Sequence, residues 1–142
     1  MNRKMKRGFT LIELLVVIGV MAVIAAGVVA LINPQDKLLQ ASDAKVQNDI
    51  GQMASSLQSS AAQNSSGFYP AALGDLVTNG ELISLPVQPN GYAAWTYTGG
   101  GTATVTLCGQ LRSRKYATTP TWLWCSNPGR IGAVASCAAA CP

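Results

Sequence analysis

The sequence predicts an α+β fold in which a long N-terminal α-helix, half transmembrane and half amphipathic, packs on a small antiparallel β-sheet head. Three features of the 142 residues support this prediction. Residues 14–32 carry no charge, amide or hydroxyl side chain, over about the length that a helix needs to cross a bilayer. Apolar residues at helical spacing follow, and later segments alternate Val, Thr, Tyr and Trp between Gly- and Pro-rich turns.

The basic residues are concentrated at the N-terminus. Four of the ten lie within the first eight positions, namely Arg3, Lys4, Lys6 and Arg7. The six that remain equal the six Asp and Glu residues. Lys and Arg beside a membrane segment hold that end in the cytoplasm, so the basic charge indicates topology and does not indicate a nucleic-acid partner.

Glu13 lies at the start of the apolar run, where a carboxylate is costly and needs a partner. A cut between Gly8 and Phe9 would create an α-amine, which is a cation at neutral pH. A helix does not readily fold its first residue onto its own fifth. The expected partner of Glu13 is therefore the Phe9 amine of a neighbouring subunit, and the acid would set the register of subunit assembly.

Two simpler interpretations of this N-terminus remain open. In the first, it is a conventional signal peptide, cleaved at the small residues 25–27 or 28–30. In the second, it is a single-pass anchor. Neither accounts for Glu13 or for its position after a Gly-Phe junction that basic residues precede.

Residues 8–18, GFTLIELLVVI, resemble the N-terminal motif of type IV prepilins and type II secretion pseudopilins. The resemblance implies that a membrane prepilin peptidase removes residues 1–8 as a leader and methylates the Phe9 amine. It also implies that Glu13 serves subunit docking and that the fold is pilin-like, with residues 9–32 in the membrane or filament core. Major pilins often carry a proline at the position that Ala30 occupies here.

A proline removes a backbone donor and disfavours helical geometry at the residue before it, so we expect a kink or local opening within residues 31–34, at Asn33 and Pro34. Residues 35–63 are expected to continue as an amphipathic helix. Its apolar face would carry Leu39, Val46, Ile50, Met53 and Leu57. Its polar face, expected to meet solvent or neighbouring subunits, would include Asp36, Asp43 and Asp49.

Residues 64–142 are expected to form the globular head. We predict a short helix over residues 71–77, then strands over residues 93–98, 102–111 and 121–126 that pack on the amphipathic helix. The loop after the long helix also resembles that of pseudopilin-like domains. Gln88 occupies the position where that family usually has an acid that binds calcium, so the sequence predicts no metal site. It predicts no cofactor either.

The four cysteines all lie beyond the apolar segment, outside the predicted cytoplasmic side. An even number in that compartment favours disulfides, and the spacing does not suit a four-thiolate zinc site. Four cysteines allow three connectivities. Our preferred one is sequential, with a cross-strand bridge from Cys108 to Cys125 and a small C-terminal loop closed by Cys137 and Cys141.

No enzyme and no catalytic residue are predicted, because the chain has no His, no nucleophile with an evident base and no phosphate-binding glycine motif. A basic patch near Tyr116, Trp122 and Trp124 is formed by Arg112, Arg114 and Lys115. An alternative function for this segment is therefore a contact with DNA. Three charges are few for that purpose. A solvated hairpin loop is the preferred interpretation of this segment.

The resemblance implies a structural role. Subunits would wait in the cytoplasmic membrane as single-pass proteins with cytoplasmic N-termini. After prepilin peptidase has acted, an assembly platform with its ATPase machinery would build them into a homopolymer on the bacterial surface. The alternatives are a pseudopilin of a type II secretion or DNA-uptake machine, and a minor pilin that acts as a DNA-binding or adhesive module.

Overall fold

The computed structural model describes residues 8–138, which divide into two compact units between Gln35 and Asp36. The elements in chain order are α1 (Leu11–Leu31), α2 (Pro34–Gln63), α3 (Asp75–Thr78), β1 (Thr96–Thr98), β2 (Thr106–Gln110), a one-turn 3-10 helix (Arg114–Tyr116), β3 (Thr121–Cys125) and β4 (Arg130–Val134). An apolar N-terminal helix and a four-stranded antiparallel sheet confirm the predicted α+β, pilin-like class.

The first unit contains α1, whose side chains are exposed along its described length. Within residues 8–138, Leu11–Val29 is the one helical stretch that is long and apolar enough to cross a membrane. We expected the helix to begin at Phe9, but it begins at Leu11. The reason is local: Thr10 has extended backbone angles, φ −86° and ψ 149°, and its side chain caps the helix.

The backbone is interrupted between α1 and α2. Ile32 is extended, with φ −91° and ψ 108°, and α2 starts at Pro34. Proline is favoured at the first position of a helix because its missing N–H has no partner there to lose. The chain thus forms two helices here, and the break between them lies within residues 31–34, where we expected a kink or local opening.

In the second unit, α2 packs along one side of the sheet. Its buried stripe consists of Val46, Ile50, Met53 and Leu57, each fully buried against the inner sheet residues Leu107 and Trp124. Full burial of such a side chain contributes roughly 1.5–3 kcal/mol to the free energy of folding. Burial of this stripe is therefore the main contribution that stabilises the packing of α2 on the sheet. Gly109 permits the close approach, because a Cβ there would lie 2.9 Å from Val46 Cγ1 and 2.6 Å from the Trp95 ring.

The sheet is a meander in the order β1-β2-β3-β4, with every neighbour antiparallel. The sequence analysis missed β4, because its sequence RIGAV lacks the alternation that marks a half-buried strand. The predicted first two strands were too long at their starts, since β1 begins at Thr96 and β2 at Thr106. The turn between them extends past Gly101, because the Thr102 N–H donates to the Gly99 carbonyl at 3.2 Å and its hydroxyl donates to the Thr104 carbonyl at 2.8 Å. The predicted helix over residues 71–77 is reduced to the four residues of α3.

A disulfide crosses the outer face of the sheet, which is the face away from α2. It joins Cys108 on β2 to Cys137 beyond β4, with Cα atoms 6.0 Å apart. Cys108, Leu123, Cys125 and Val134 form a second buried cluster beneath this C-terminal segment. The bridge therefore fastens the chain after β4 across β3 and onto β2.

The sequential pairing that we preferred is wrong. In the observed register Cys108 lies opposite Leu123, whereas Cys125 lies opposite Thr106. Cys108 and Cys125 are thus diagonal neighbours, about 7–8 Å apart across a strand pair, which is too far for a disulfide. The proposed partner of Cys137, Cys141, lies outside the described residues.

We expect the bridges to interlock, with Cys108 bound to Cys137 and, by count, Cys125 bound to Cys141. Trypsin cuts after Arg112, Lys115 and Arg130, so non-reducing digestion should give one complex of three linked peptides. Fragmentation of that complex in a mass spectrometer should assign the Cys108 to Cys137 bond. Release of residues 131–142 as a separate, internally bridged peptide would contradict this connectivity.

Candidate functional site

The Gly8-Phe9 junction lies ahead of α1 in non-helical backbone. Phe9 is 84% exposed, so the peptide bond before it is open to a protease. No atom lies within 4 Å of the position that a Cβ on Gly8 would occupy. Within the described chain, therefore, nothing requires glycine at this position, and any such requirement comes from the peptidase.

Thr10 and Glu13 form a reciprocal cap at the start of α1. The Glu13 N–H donates to Thr10 Oγ1 at 3.3 Å. In return, Glu13 Oε2 accepts from the Thr10 N–H at 2.9 Å and from the Thr10 hydroxyl at 2.7 Å. This is a capping box, in which the first and fourth residues satisfy each other's exposed backbone donors.

The cap gives Glu13 a local role that our sequence analysis did not include. The signal was present as the spacing Thr-x-x-Glu ahead of an apolar run. Both hydrogen bonds end on Oε2, so Oε1 keeps its accepting capacity among residues 8–138. The cap and a second partner for the carboxylate are therefore compatible, and pairing with a neighbouring Phe9 amine stays a prediction.

A shallow apolar groove surrounds this carboxylate. It has a volume of about 350 Å³ and is lined by Phe9, Ile12, Glu13, Val16 and Val17. Apolar surface of this extent is not left in water, and it indicates contact with lipid or with another apolar helix. Glu13 thus stands in the wall of a surface that is suited to burial.

The basic patch lies on the connection between β2 and β3. The Arg112 guanidinium donates to the Gly91 carbonyl at 2.8 Å and lies 5.7 Å from the centre of the Tyr92 ring. Lys115 lies 5.1 Å from the centre of the Tyr116 ring. All three basic residues are exposed, and Arg112 and Lys115 also make these contacts within the chain.

The aromatic residues near the patch differ in their access to a ligand. Trp122 is half-buried and packs edge to face against Tyr116, with ring centres 6.3 Å apart. Trp124 is 4% exposed and packs in the core against Tyr69. Trp124 is consequently not available to stack on a nucleic-acid base. A DNA contact at this patch stays an untested prediction.

Asp43 on α2 binds the same connection, and the sequence analysis placed it wrongly on the polar face that was expected to meet solvent or neighbouring subunits. It is 1% exposed. Its Oδ1 accepts from the Tyr92 hydroxyl at 2.7 Å and from the Arg112 N–H at 2.8 Å, and its Oδ2 accepts from the Ser113 N–H at 2.9 Å. Burial, and then the bond to Asp43, raise the pKa of Tyr92 to about 12, so this hydroxyl remains a donor at neutral pH.

Two carboxylates of α2 thus bind consecutive backbone N–H groups at residues 112–114. Asp36 accepts from the Arg114 N–H at 2.9 Å, and this bond is the chief cause that lowers the pKa of Asp36. The sequence contained a signal for Asp43, because it fills the gap in the apolar stripe, four residues after Leu39 and three before Val46. A polar residue at a core position predicts a buried hydrogen-bonded group.

Comparison with known proteins bears on the N-terminal segment. Residues 3–29 match the family model described as the prokaryotic N-terminal methylation motif. No curated protein and no solved structure matches the chain. The matched residues include the Gly8-Phe9 junction, the capping box and nearly all of α1, so the match confirms the resemblance noted in the sequence. The chain therefore carries the N-terminal signature of type IV pilins and pseudopilins.

Proposed function

We propose that the chain is a structural subunit of a type IV pilus-like extracellular filament. The observation that carries this proposal is the methylation motif, which coincides with an uncovered apolar helix and an acid near its start. A pilin-type motif implies a structural subunit and not an enzyme. Prepilin peptidase would cut after Gly8 and methylate Phe9, and an assembly platform with its ATPase would then incorporate the subunit.

Cleavage supplies the charge that Glu13 needs. Before the cut, the nitrogen of Phe9 is an uncharged amide, and Glu13 accepts hydrogen bonds from Thr10 through Oε2. After the cut, the same nitrogen becomes an ammonium group and can approach Glu13 of a neighbouring subunit in apolar surroundings. The proteolytic step would in this way couple removal of the leader to competence for assembly.

The apolar surface of α1 would supply the rest of the interface. In the membrane it faces lipid, and in a filament it would face copies of itself. Since both environments are apolar, close packing and the Glu13 pair must provide the selectivity for the polymer. A contact between two different surfaces of identical subunits produces an open helical filament when the rotation between neighbouring subunits does not close into a ring.

A pseudopilin of a secretion or DNA-uptake machine is the second candidate, because the motif is shared by both groups. Such a protein would be processed in the same way and would start from the same membrane position, with its N-terminus in the cytoplasm. Abundant long fibres made of this chain at the cell surface favour the pilus. Short fibres confined to the envelope favour the pseudopilin.

We expect the mature chain to start at N-methylated Phe9. Intact mass and N-terminal sequencing of subunits from sheared surface material measure this directly. Gly8→Leu should leave the precursor uncut, whereas Gly19→Ala, within α1, serves as the matched control and should be processed normally. A mature chain that starts near residue 28 or residue 31 would instead establish a conventional signal peptide and refute the proposal.

A further inference from the structure

A polar cleft lies at the C-terminal end of α2, remote in sequence from the methylation motif. It forms where the last turn of α2 meets the following loop and the turn after α3. Its volume is about 260 Å³. The cleft is lined by the Phe68 ring, by Pro70 and by polar side chains, of which one is acidic. The polar residues are Ser60, Gln63, Asn64, Asn79 and Glu81.

Phe68 provides an apolar platform that the fold holds in place. Its side chain is 46% exposed, although a ring of this size is usually buried. Asn64 Nδ2 donates to the Phe68 carbonyl at 3.1 Å, while Asn64 Oδ1 accepts from the Ser66 N–H at 3.2 Å. Because the loop is already ordered, a ligand that stacks on this ring does not have to order it.

The polar groups around the ring retain hydrogen-bonding capacity. Gln63 Nε2 donates to Glu81 Oε1 at 2.6 Å, which orients both side chains and leaves Gln63 Oε1 and Glu81 Oε2 as acceptors. The side chains of Ser60 and Asn79 make no hydrogen bond to another residue in the range 8–138. Hydroxyl, amide and carboxylate groups thus offer donors and acceptors together.

We propose that this cleft binds one neutral pyranose unit of a glycan. A pyranose has an apolar face of C–H groups that can lie on an aromatic ring, and hydroxyls at its rim that donate and accept at once. The volume lies just below the roughly 300 Å³ at which pockets for drug-sized ligands begin, which suits a single ring. The lining contains a carboxylate and no Lys or Arg, so it disfavours acidic sugars.

Saturation-transfer NMR on the detergent-solubilised full-length chain tests this proposal. The probes are methyl β-glucoside, methyl β-galactoside and N-acetylglucosamine, with N-acetylneuraminic acid as the charged comparison. We expect transfer to ring protons of at least one neutral sugar and none to the acidic sugar. Phe68→Ala should weaken binding at least about tenfold, because it removes the stacking surface. Ile83→Ala, fully exposed outside the cleft, is the matched control and should change nothing.

Asn79→Ala provides a second variant that does not depend on the loop at Phe68. Its side chain makes no hydrogen bond to another residue within the described chain, so we expect the variant to fold while its binding of the sugar weakens. Three results would overturn the proposal. These are absence of transfer to every neutral sugar, binding that survives both substitutions, and a preference for the acidic sugar. None of them bears on filament assembly through α1.

Discussion

Glu13→Gln is expected to leave cleavage after Gly8 unchanged and to reduce incorporation of the subunit into filaments at least about tenfold. Glutamine keeps the amide oxygen that can accept from the Thr10 N–H, and it is an accepted partner in a capping box. It carries no charge, however, and so cannot pair with the Phe9 ammonium. A loss of only about 1.4 kcal/mol at this contact corresponds to a factor of ten. The measurement is the ratio of sheared filament to membrane-bound mature subunit.

Thr10→Ala is the matched control, because it removes the capping hydroxyl and leaves the carboxylate charged. Loss of a helix cap costs about 1 kcal/mol of local stability, and α1 in an apolar environment is helical without it. We therefore expect Thr10→Ala to assemble far better than Glu13→Gln. The docking role would be refuted if Glu13→Gln assembled normally. It would also be refuted if Thr10→Ala were the more severe variant, since the carboxylate would then act through the cap.

Asp43→Ala is expected to destabilise the second unit by at least about 3 kcal/mol, because three donors lose their carboxylate acceptor at a buried site. These donors are the Tyr92 hydroxyl and the backbone N–H groups of Arg112 and Ser113. Each unsatisfied buried donor costs about 1–3 kcal/mol. Denaturant unfolding of the oxidised full-length chain in detergent, followed by the fluorescence of its three tryptophans, measures the change.

Asp49→Ala is the control for this change, since it removes a carboxylate from the same helix. Asp49 pairs with Lys45 four residues earlier, at 2.6 Å, in a partly exposed ion pair. Such pairs contribute about 0.3–0.5 kcal/mol. Asp43→Asn should fall between the two, because one of its atoms becomes a donor that faces another donor. Equal stability of the Asp43→Ala and Asp49→Ala variants would contradict the clamp described here.

Local patterns predicted most of the helical part correctly. The apolar run and the spacing of Val46, Ile50, Met53 and Leu57 depend only on neighbours along one helix, so they can be read without knowledge of the fold. Helix ends were less certain. Thr10 and Pro34 each moved a boundary through a cap or a fixed backbone angle, which are local effects that the sequence also contained.

The sequence by itself determined the N-terminal signature, because the Gly-Phe junction, the basic residues before it and the apolar run after it follow one another along the chain. Tertiary structure decided three other features, although the spacing of the apolar stripe already contained a signal for the third. These are the partner of Cys108, the fourth strand and the burial of Asp43. A disulfide depends on strand register, and β4 depends on pairing with β3. The buried carboxylate depends on donors that lie 49 to 70 residues away in the chain. Contacts between distant segments carry no periodic signal, and only the folded chain brings them together.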